Sequence, residues 1–167
     1  TFTDDTRQEF ASGTTTGRVT KLVDSFGREL LVDYTNFSAS PQRILVTDVA
    51  SQRSLTVKVT GTLSSFLVDA VETTNHDGTG VLTWDYGYDT TSVPGTALLT
   101  SACDPRGAAT HCATYQWDTT AGVGMPRLWK VLDRKGQLDV EFGYSTAGRV
   151  TSITDVYGNT TGFAYAQ

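Results

Sequence analysis

The sequence predicts an all-β fold of antiparallel β-hairpin repeats that together form a curved or rolled sheet. Three observations support this fold class: the composition, a recurring four-residue turn sequence, and aromatic residues at alternate positions after those turns. Hydrophobic residues make up 38% of the 167-residue chain and charged residues only 19%, while Thr, Gly and Ser are abundant. That balance is typical of β-strands joined by tight turns.

The turn sequence is Asp-x-x-Gly, and it recurs directly after segments rich in strand-forming residues. An Asp at the first position accepts hydrogen bonds from the backbone two residues on, and a Gly at the fourth position adopts a positive φ without steric cost. We therefore predict hairpin turns at four sites: Asp24 to Gly27, Asp104 to Gly107, Asp133 to Gly136, and Asp155 to Gly158.

The strands are predicted on either side of these turns. The preceding segments are RVTKLV, LLTSAC, RLWKVL and RVTSIT, and a second strand follows each turn. These second strands end in aromatics at alternate positions, which share one sheet face. The aromatic sets are Trp84, Tyr86 and Tyr88; Tyr115 and Trp117; Phe142 and Tyr144; and Phe163 and Tyr165. The last members of these sets are 29, 27 and 21 residues apart, which is typical of a repeat architecture.

Two apolar columns run through the segments that precede the turns. Counted back from the turn Asp, the fifth residue is Val19, Leu99, Leu128 or Val150, and the second is Leu22, Ala102, Val131 or Ile153. Positions three apart lie on opposite faces of a flat strand. Either both faces of the sheet are covered, or a β-bulge lies between the two columns, and the sequence leaves both possibilities open.

We expect a single β-repeat domain over residues 1–167. Residues 17–36 and 81–167 contain the clear repeat units. Residues 37–80 are interpreted as degenerate repeats or longer hairpins, because Ser51 stands where the turn glycine is expected. No helix is predicted, since Gly and Thr interrupt the chain too often for a helical periodicity to develop.

Residues 142–166, FGYSTAGRVTSITDVYGNTTGFAYA, resemble the YD repeat. In that repeat an aromatic residue and a Tyr-Asp pair precede a short turn, then Gly-Arg-Leu or Gly-Arg-Val, and then Asp-x-x-Gly. Residues 86–118 and 17–34 are similar to further units. The sequence departs from the pattern where Ser145 replaces the Asp, and where residues 125–127, Met-Pro-Arg, replace the Gly-Arg step.

The resemblance implies a fragment of a YD-repeat shell or barrel, the hollow structure built by the long β-sheets of Rhs polymorphic toxins, of the cocoon components of insecticidal toxin complexes, and of teneurins. It implies a non-enzymatic structural segment of a secreted or cell-surface protein. The expected partners are neighbouring repeats of a larger chain, an enclosed toxin, a glycan or a cell-surface protein.

Charge and hydropathy argue against two kinds of partner. The net charge is −5, and acidic and basic residues are interspersed, so no basic stripe is available to bind phosphates. We therefore expect no nucleic-acid partner. Apolar stretches such as Leu30 to Val32 are far shorter than the roughly 20 residues of a membrane-spanning helix, and no membrane span is expected.

No catalytic, cofactor-binding or metal-binding site is predicted. The two histidines, His76 and His111, occur in turn-like sequences, and neither has another histidine at metal-ligand spacing. No Gly-x-Ser-x-Gly nucleophile motif is present. Asp85 and Asp89 are close enough in sequence for acid–base chemistry, but they alternate with aromatics, so a solvated strand face is the simpler interpretation.

Cys103 and Cys112 flank the second predicted turn, and a pair of cysteines is compatible with a disulfide in a secreted protein. A four-residue turn at 104–107 would instead pair Cys103 with Ala108. Cys112 would then lie about 13 Å further along the strand, at roughly 3.3 Å per residue. The sequence leaves the disulfide open.

The aromatic residues have two interpretations. As candidate ligand-stacking residues, Trp84, Tyr86, Tyr88 and Trp117 would make the chain a carbohydrate- or cell-surface-binding module, which is the alternative function. Because one aromatic set recurs in every unit, packing between neighbouring strands explains the same residues without a ligand. We take packing as the main interpretation.

Overall fold

The computed structural model describes residues 6–11, 17–34, 36–37, 42–62, 65–75, 77–106, 111–120 and 125–166. Over these residues the chain forms 13 strands and no helix, which confirms the all-β prediction. The strands are antiparallel and belong to one sheet, in which their order is that of the sequence. They are β1 (Arg7–Phe10), β2 (Val19–Val23), β3 (Glu29–Asp33), β4 (Gln42–Asp48), β5 (Ser54–Thr62), β6 (Ser65–Thr74), β7 (Val81–Asp89), β8 (Leu98–Cys103), β9 (Cys112–Asp118), β10 (Arg127–Leu132), β11 (Leu138–Tyr144), β12 (Val150–Asp155) and β13 (Thr160–Gly162).

The chain divides into two compact units, Thr1–Thr83 and Trp84–Gln167, and the division falls within β7. In the first unit the sheet has one mainly apolar and one mainly polar face, which the register defines because directly opposed residues share a face. The apolar face carries the rows Val32–Val46–Leu55 and Ile44–Val57–Val71. The polar face carries the ion pairs Lys21–Glu29 and Lys58–Glu72.

The most buried aromatic of the first unit is Phe37, which is 8% exposed. Its ring packs edge-to-face against Phe66 and Tyr34, with centroids 4.8 Å and 6.1 Å away. The guanidinium of Arg18 lies 4.6 Å from the Phe37 ring centroid. This cluster gives the divergent part of the sequence, between the clear repeats, its own packing centre.

The second unit has the same two-faced sheet, but its apolar face is rich in aromatics. Side chains of β9 to β12 form the rows Tyr115–Val131–Val140, Trp117–Leu128, Phe142–Ile153 and Tyr144–Val150. The opposite face carries the polar row Gln116–Lys130–Glu141–Thr154. Among the described residues of this unit, Leu98 is the one buried hydrophobic side chain, at 5% exposure.

A β-bulge separates the two apolar columns. In β12, for example, Gly143 opposes Ser152 while Tyr144 opposes Val150, so Thr151 is the extra residue. The same interruption occurs in β2, β8 and β10, where the extra residues are Thr20, Thr100 and Trp129. Each bulge shifts the alternation of side chains by one residue, which places both apolar columns on one face. The sequence left open whether a β-bulge lies between the two apolar columns, and the structure shows that it does.

The turns at Asp24, Asp133 and Asp155 share one hydrogen-bond pattern. Each Asp carboxylate accepts from the backbone N–H groups of the residues two and four positions after it, at 2.8 to 2.9 Å. The residue three positions after the Asp is always Gly, and its N–H donates to the Asp carbonyl at 2.9 to 3.0 Å. These glycines have positive φ, which explains their recurrence: 79° at Gly27, 75° at Gly136 and 81° at Gly158.

Two further turns place other residues at the positions that Asp and Gly occupy in these three. Ser145 replaces Asp in the turn between β11 and β12, and its Oγ accepts from Arg149 N at 3.2 Å, while Gly148 has a φ of 80°. In the turn between β4 and β5 the left-handed position is Gln52, with a φ of 58°, rather than Ser51. This turn is one residue longer, as Asp48 N donates to Arg53 O at 2.9 Å.

Candidate functional site

Three aromatic side chains of the second unit, at the ends of β9 and β11 and shortly after β13, donate a hydrogen bond to the preceding strand. Each side-chain donor meets the carbonyl of the residue just before the bulge, where the backbone ladder is interrupted. The three bonds run from Trp117 Nε1 to Leu99 O at 2.7 Å, from Tyr144 Oη to Leu128 O at 2.7 Å, and from Tyr165 Oη to Val150 O at 2.8 Å. The recurring aromatics therefore have a structural role at each bulge.

An arginine covers the tyrosine in two of these arrangements. Arg127 directly precedes Leu128, and its guanidinium lies 5.5 Å from the ring centroid of Tyr144. Arg149 directly precedes Val150 and lies 5.3 Å from the Tyr165 ring centroid. Contacts of this kind contribute roughly 0.5–1 kcal/mol each at exposed sites. They explain why an arginine precedes the apolar residue in the Gly-Arg-Val sequence.

The first unit repeats the arginine contact. Arg18, which precedes Val19, lies 5.2 Å from the ring centroid of Tyr34. In β8 of the second unit the equivalent position is Leu98, whose apolar side chain is buried. The role of these arginines was not predicted, although each directly precedes the apolar residue five positions before the turn Asp, which is a signal visible in the sequence.

Two glycines on the polar face allow the strands to approach. Gly143 opposes Ser152, and a Cβ at Gly143 would come closer to the Ser152 Oγ than van der Waals contact allows. Gly87 opposes Ser101 in the same relationship. Each glycine directly precedes a tyrosine that pairs across a bulge. The glycine allows close approach on the polar face, and the tyrosine packs on the apolar face.

The candidate ligand-stacking residues lie on the apolar face and are half-buried. Trp84, Tyr86 and Tyr88 come from β7, and Trp117 comes from β9. Tyr88 opposes Leu99, the residue whose carbonyl accepts from Trp117, so these two aromatics flank β8. The indole N–H of Trp117 thus has a backbone hydrogen-bond partner within the sheet, which agrees with packing between strands as the role of this residue.

Cys103 and Cys112 form a disulfide, with their Cα atoms 3.9 Å apart. They oppose each other in the register of β8 and β9, so the expectation that a short turn would move Cys112 along the strand is wrong. The physical reason is a longer connection, since Asp104 N donates to His111 O at 3.1 Å. Cys103 and Cys112 are therefore the adjacent non-hydrogen-bonded pair, whose side chains are close. Gly107 lies outside the described residues.

Asp104 joins two neighbouring hairpins of the second unit. Its carboxylate accepts from Arg106 Nη2 at 2.8 Å and from Arg134 Nη1, in the next Asp-x-x-Gly turn, at 2.7 Å. Hydrogen bonds from the side chain and backbone of Arg106, a further hydrogen bond from Arg134, and the charge of Arg106 hold the pKa of Asp104 well below its ordinary value of 3.8. The carboxylate is thus ionised and committed to structure.

A groove of about 530 Å³ lies on the second unit where β9, β10 and β11 end or begin. Its aromatic lining is Trp117, Trp129, Phe142 and Tyr144, and its polar lining includes Asp118, Thr120 and Arg127. Trp129, the extra residue of the β10 bulge, is 42% exposed, whereas Trp84 and Trp117 are half-buried. Trp129 is not among the residues predicted to stack on a ligand.

The described part of the chain contains no group of three or more His, Cys, Asp or Glu residues that could hold a metal ion. His76 lies outside the described residues. Asp89, one of the two carboxylates considered for acid–base chemistry, accepts from Thr91 N at 2.8 Å and from Ser92 N at 3.0 Å. Hydrogen bonds from Ser92 and Thr91 hold the pKa of Asp89 well below its ordinary value. The Asp89 carboxylate thus acts as a turn cap.

The loop from Thr90 to Gly95, which follows β7, contains a tight turn. Thr96 N donates to Val93 O at 3.1 Å, and Gly95 has a φ of 75°. A proline at the second turn position and a positive-φ glycine at the third are typical of a type II turn. Over the residues that can be described, no helix is long and apolar enough to cross a membrane.

No protein-family model matches the sequence. No curated protein is significantly similar to it.

Proposed function

We propose that this chain is a non-enzymatic structural repeat segment of a secreted or cell-surface YD-repeat protein, contributing strands to a β-sheet scaffold. The observation that carries the proposal is the largely uncovered apolar face of the second unit. Rows such as Phe142–Ile153 and Tyr144–Val150 lie on one face, yet the buried hydrophobic side chain described in this unit is Leu98 alone. A sheet with one apolar face needs a second layer to exclude water from it.

The recurring construction of each hairpin supports the same proposal. The bulge, the bond from the aromatic side chain to the carbonyl, and the Asp turn appear together in successive hairpins. An active site requires a particular set of groups at one place, whereas a scaffold requires the same interactions in each unit. The repeated use of one set of contacts therefore favours a structural role.

The disulfide supports the proposed location. Disulfides persist in oxidising surroundings such as the extracellular space and are rare in the reducing cytosol. The bond between Cys103 and Cys112 joins two adjacent strands at a hairpin end. We propose neighbouring repeats as direct partners, and an enclosed toxin or a cell-surface protein as the partner of the complete scaffold.

Binding of the dye ANS, which fluoresces on exposed apolar surface, tests the uncovered face. The folded chain, checked by near-ultraviolet circular dichroism, is expected to bind ANS. The variant Val131→Thr, on the apolar face, should bind less dye, while Gln116→Thr on the polar face of the neighbouring strand should bind as much as the parent chain. A folded chain that binds no ANS would show that the face is already covered, and the proposal would fail.

A further inference from the structure

Two neighbouring Asp-x-x-Gly sequences of the second unit carry cationic residues between the Asp and the Gly. The central residues are Pro-Arg after Asp104 and Arg-Lys after Asp133. The turns that begin at Asp24 and Asp155 have the uncharged pairs Ser-Phe and Val-Tyr at these positions and form with the same backbone hydrogen bonds. The turn geometry therefore does not require cations there, and their presence in two adjacent turns calls for another explanation.

One carboxylate holds two of these cations together. Arg106 Nη2 donates to Asp104 Oδ2 at 2.8 Å, and Arg134 Nη1 donates to the same oxygen at 2.7 Å. The side chain of Asp104 is 20% exposed, whereas those of Arg106 and Arg134 are 68% and 47% exposed. The two guanidinium groups thus face the solvent more than the carboxylate between them does. A guanidinium has five N–H groups, and the bonds to Asp104 use only part of that capacity.

A pocket of about 480 Å³ lies beside these two guanidinium groups. Its lining comprises Arg106, His111, Asp133, Arg134 and Lys135. The Asp133 carboxylate accepts from the backbone N–H groups of Lys135 and Gln137, both at 2.8 Å, so it is committed to its own turn. Three permanent cations, two Arg and one Lys, stand against two carboxylates, those of Asp104 and Asp133. The pocket therefore has an excess of positive charge.

The number and direction of the donors favour one kind of anion. A carboxylate has two oxygens in one plane, whereas the oxygens of a tetrahedral phosphate accept hydrogen bonds from several directions at once. Arginine suits phosphate because its planar fork can donate two parallel hydrogen bonds. The whole chain has a net charge of −5, so a long polyanion would be repelled by the rest of the surface. A compact phosphate group would meet only the local cations.

We propose that this pocket binds the phosphate group of a small molecule, which is either inorganic phosphate or a phosphate monoester. Arg106 and Arg134 donate to the phosphate oxygens, and Lys135 supplies the third positive charge. The volume of about 480 Å³ is within the usual range of small-molecule sites, so a short organic group fits beside the phosphate. The phosphate site goes beyond the scaffold proposal and does not depend on it.

Isothermal titration calorimetry at low ionic strength tests the site, with inorganic phosphate and glycerol 3-phosphate as separate probes. The parent chain is expected to bind at least one of them with a Kd of about 1 mM or lower. Arg134→Gln should weaken binding at least about 10-fold, a loss of about 1.4 kcal/mol. Because Arg134 also bonds Asp104, its melting temperature is measured alongside. Lys135→Gln keeps the backbone bond to Asp133 and should weaken binding about 3-fold.

The matched control is Arg7→Gln, which makes the same change of charge in the first unit at a side chain that is 65% exposed. This variant should bind the probes as the parent chain does. Tighter binding of glycerol 3-phosphate supports an organic phosphate as the ligand, and tighter binding of inorganic phosphate supports the free anion. The proposal is overturned if neither probe binds, if Arg134→Gln and Lys135→Gln both bind as the parent chain does, or if acetate binds as tightly as phosphate.

Discussion

The hydroxyl of Tyr144 donates to the carbonyl of Leu128, 2.7 Å away in the preceding strand. This bond connects the two sequence features that define the repeat, the alternating aromatics and the first apolar column before the turn. Burial raises the pKa of Tyr144, so the hydroxyl remains a donor across the physiological range. The feature that recurs from hairpin to hairpin in the second unit is thus an intramolecular contact.

Removing this hydroxyl should destabilise the chain. We expect Tyr144→Phe to lower the free energy of unfolding by about 1 kcal/mol, because the ring still packs but the Leu128 carbonyl loses its side-chain donor. Tyr157→Phe is the matched control, since Tyr157 is 86% exposed in a turn. Urea denaturation of both variants gives the comparison, and equal stabilities would contradict the structural role of the Tyr144 bond.

Substitution of Gly136 tests the turn geometry. Its φ is 75°, and a Cβ there would meet no atom within 4 Å, so any cost comes from the backbone alone. Gly136→Val should destabilise the chain by more than about 1 kcal/mol, because side chains rarely adopt this conformation. Gly136→Asn should cost less, since Asn tolerates left-handed backbone angles. Thermal melts that rank Asn and Val equally would count against this turn.

The pair Gly143 and Ser152 provides a test of coupling. Gly143→Ala should be destabilising, because its Cβ would crowd the Ser152 Oγ. Ser152→Ala removes that oxygen and should recover part of the loss when the two changes are combined. A double-mutant cycle by urea denaturation measures this, and an interaction energy of at least about 0.5 kcal/mol is expected for residues in contact. Simple additivity would show that the two positions do not meet.

Stability should fall on acidification. Hydrogen bonds from Asn159 and the turn backbone lower the pKa of Asp155 below 3.8, and hydrogen bonds from Arg28 and Phe26 do the same for Asp24. A carboxylate with a depressed pKa in the folded state stabilises the fold fully above its unfolded pKa. That stabilisation is lost as the pH falls below about 4 and through the folded pKa.

The variant Asp155→Asn isolates one of these groups. It should be less stable than the parent chain at neutral pH and show a shallower loss of stability on acidification. Urea midpoints measured from neutral pH to below about pH 3 test this. Added salt should leave the contribution of Asp155 largely intact, because it comes from short hydrogen bonds rather than long-range attraction. Parallel pH profiles for the two chains would refute the assignment.

The sequence predicted the all-β class because turn residues and alternating aromatics are local signals. Asp and Gly report the hydrogen-bond pattern and the positive φ of a turn directly, as at Asp133 and Gly136. The register of the strands was harder to predict from the sequence. A bulge at Thr151 depends on pairing between strands, and the sequence could state only that a bulge was one of two solutions.

Other features escaped prediction because they depend on tertiary context. Gln52 adopts a positive φ without the usual sequence signal, since its turn is one residue longer than the others. Predicting that Cys103 pairs with Cys112 requires the length of the connection between β8 and β9. The Asp-x-x-Gly sequence there suggested a connection that is too short. The place of Trp129 as the extra residue of a bulge depends on the pairing of β10 with β9, which its sequence position does not reveal.

The most direct test of the scaffold account is to add one repeat. Ala166 and Gln167 would be replaced by a copy of residues 145–165, which spans one 21-residue repeat from Tyr144 to Tyr165. The control chain carries the same residues in scrambled order. If the chain is a structural repeat segment, the added hairpin should raise the melting temperature and slow hydrogen exchange in β13, and the scrambled segment should do neither. An added repeat that leaves both quantities unchanged would contradict the account.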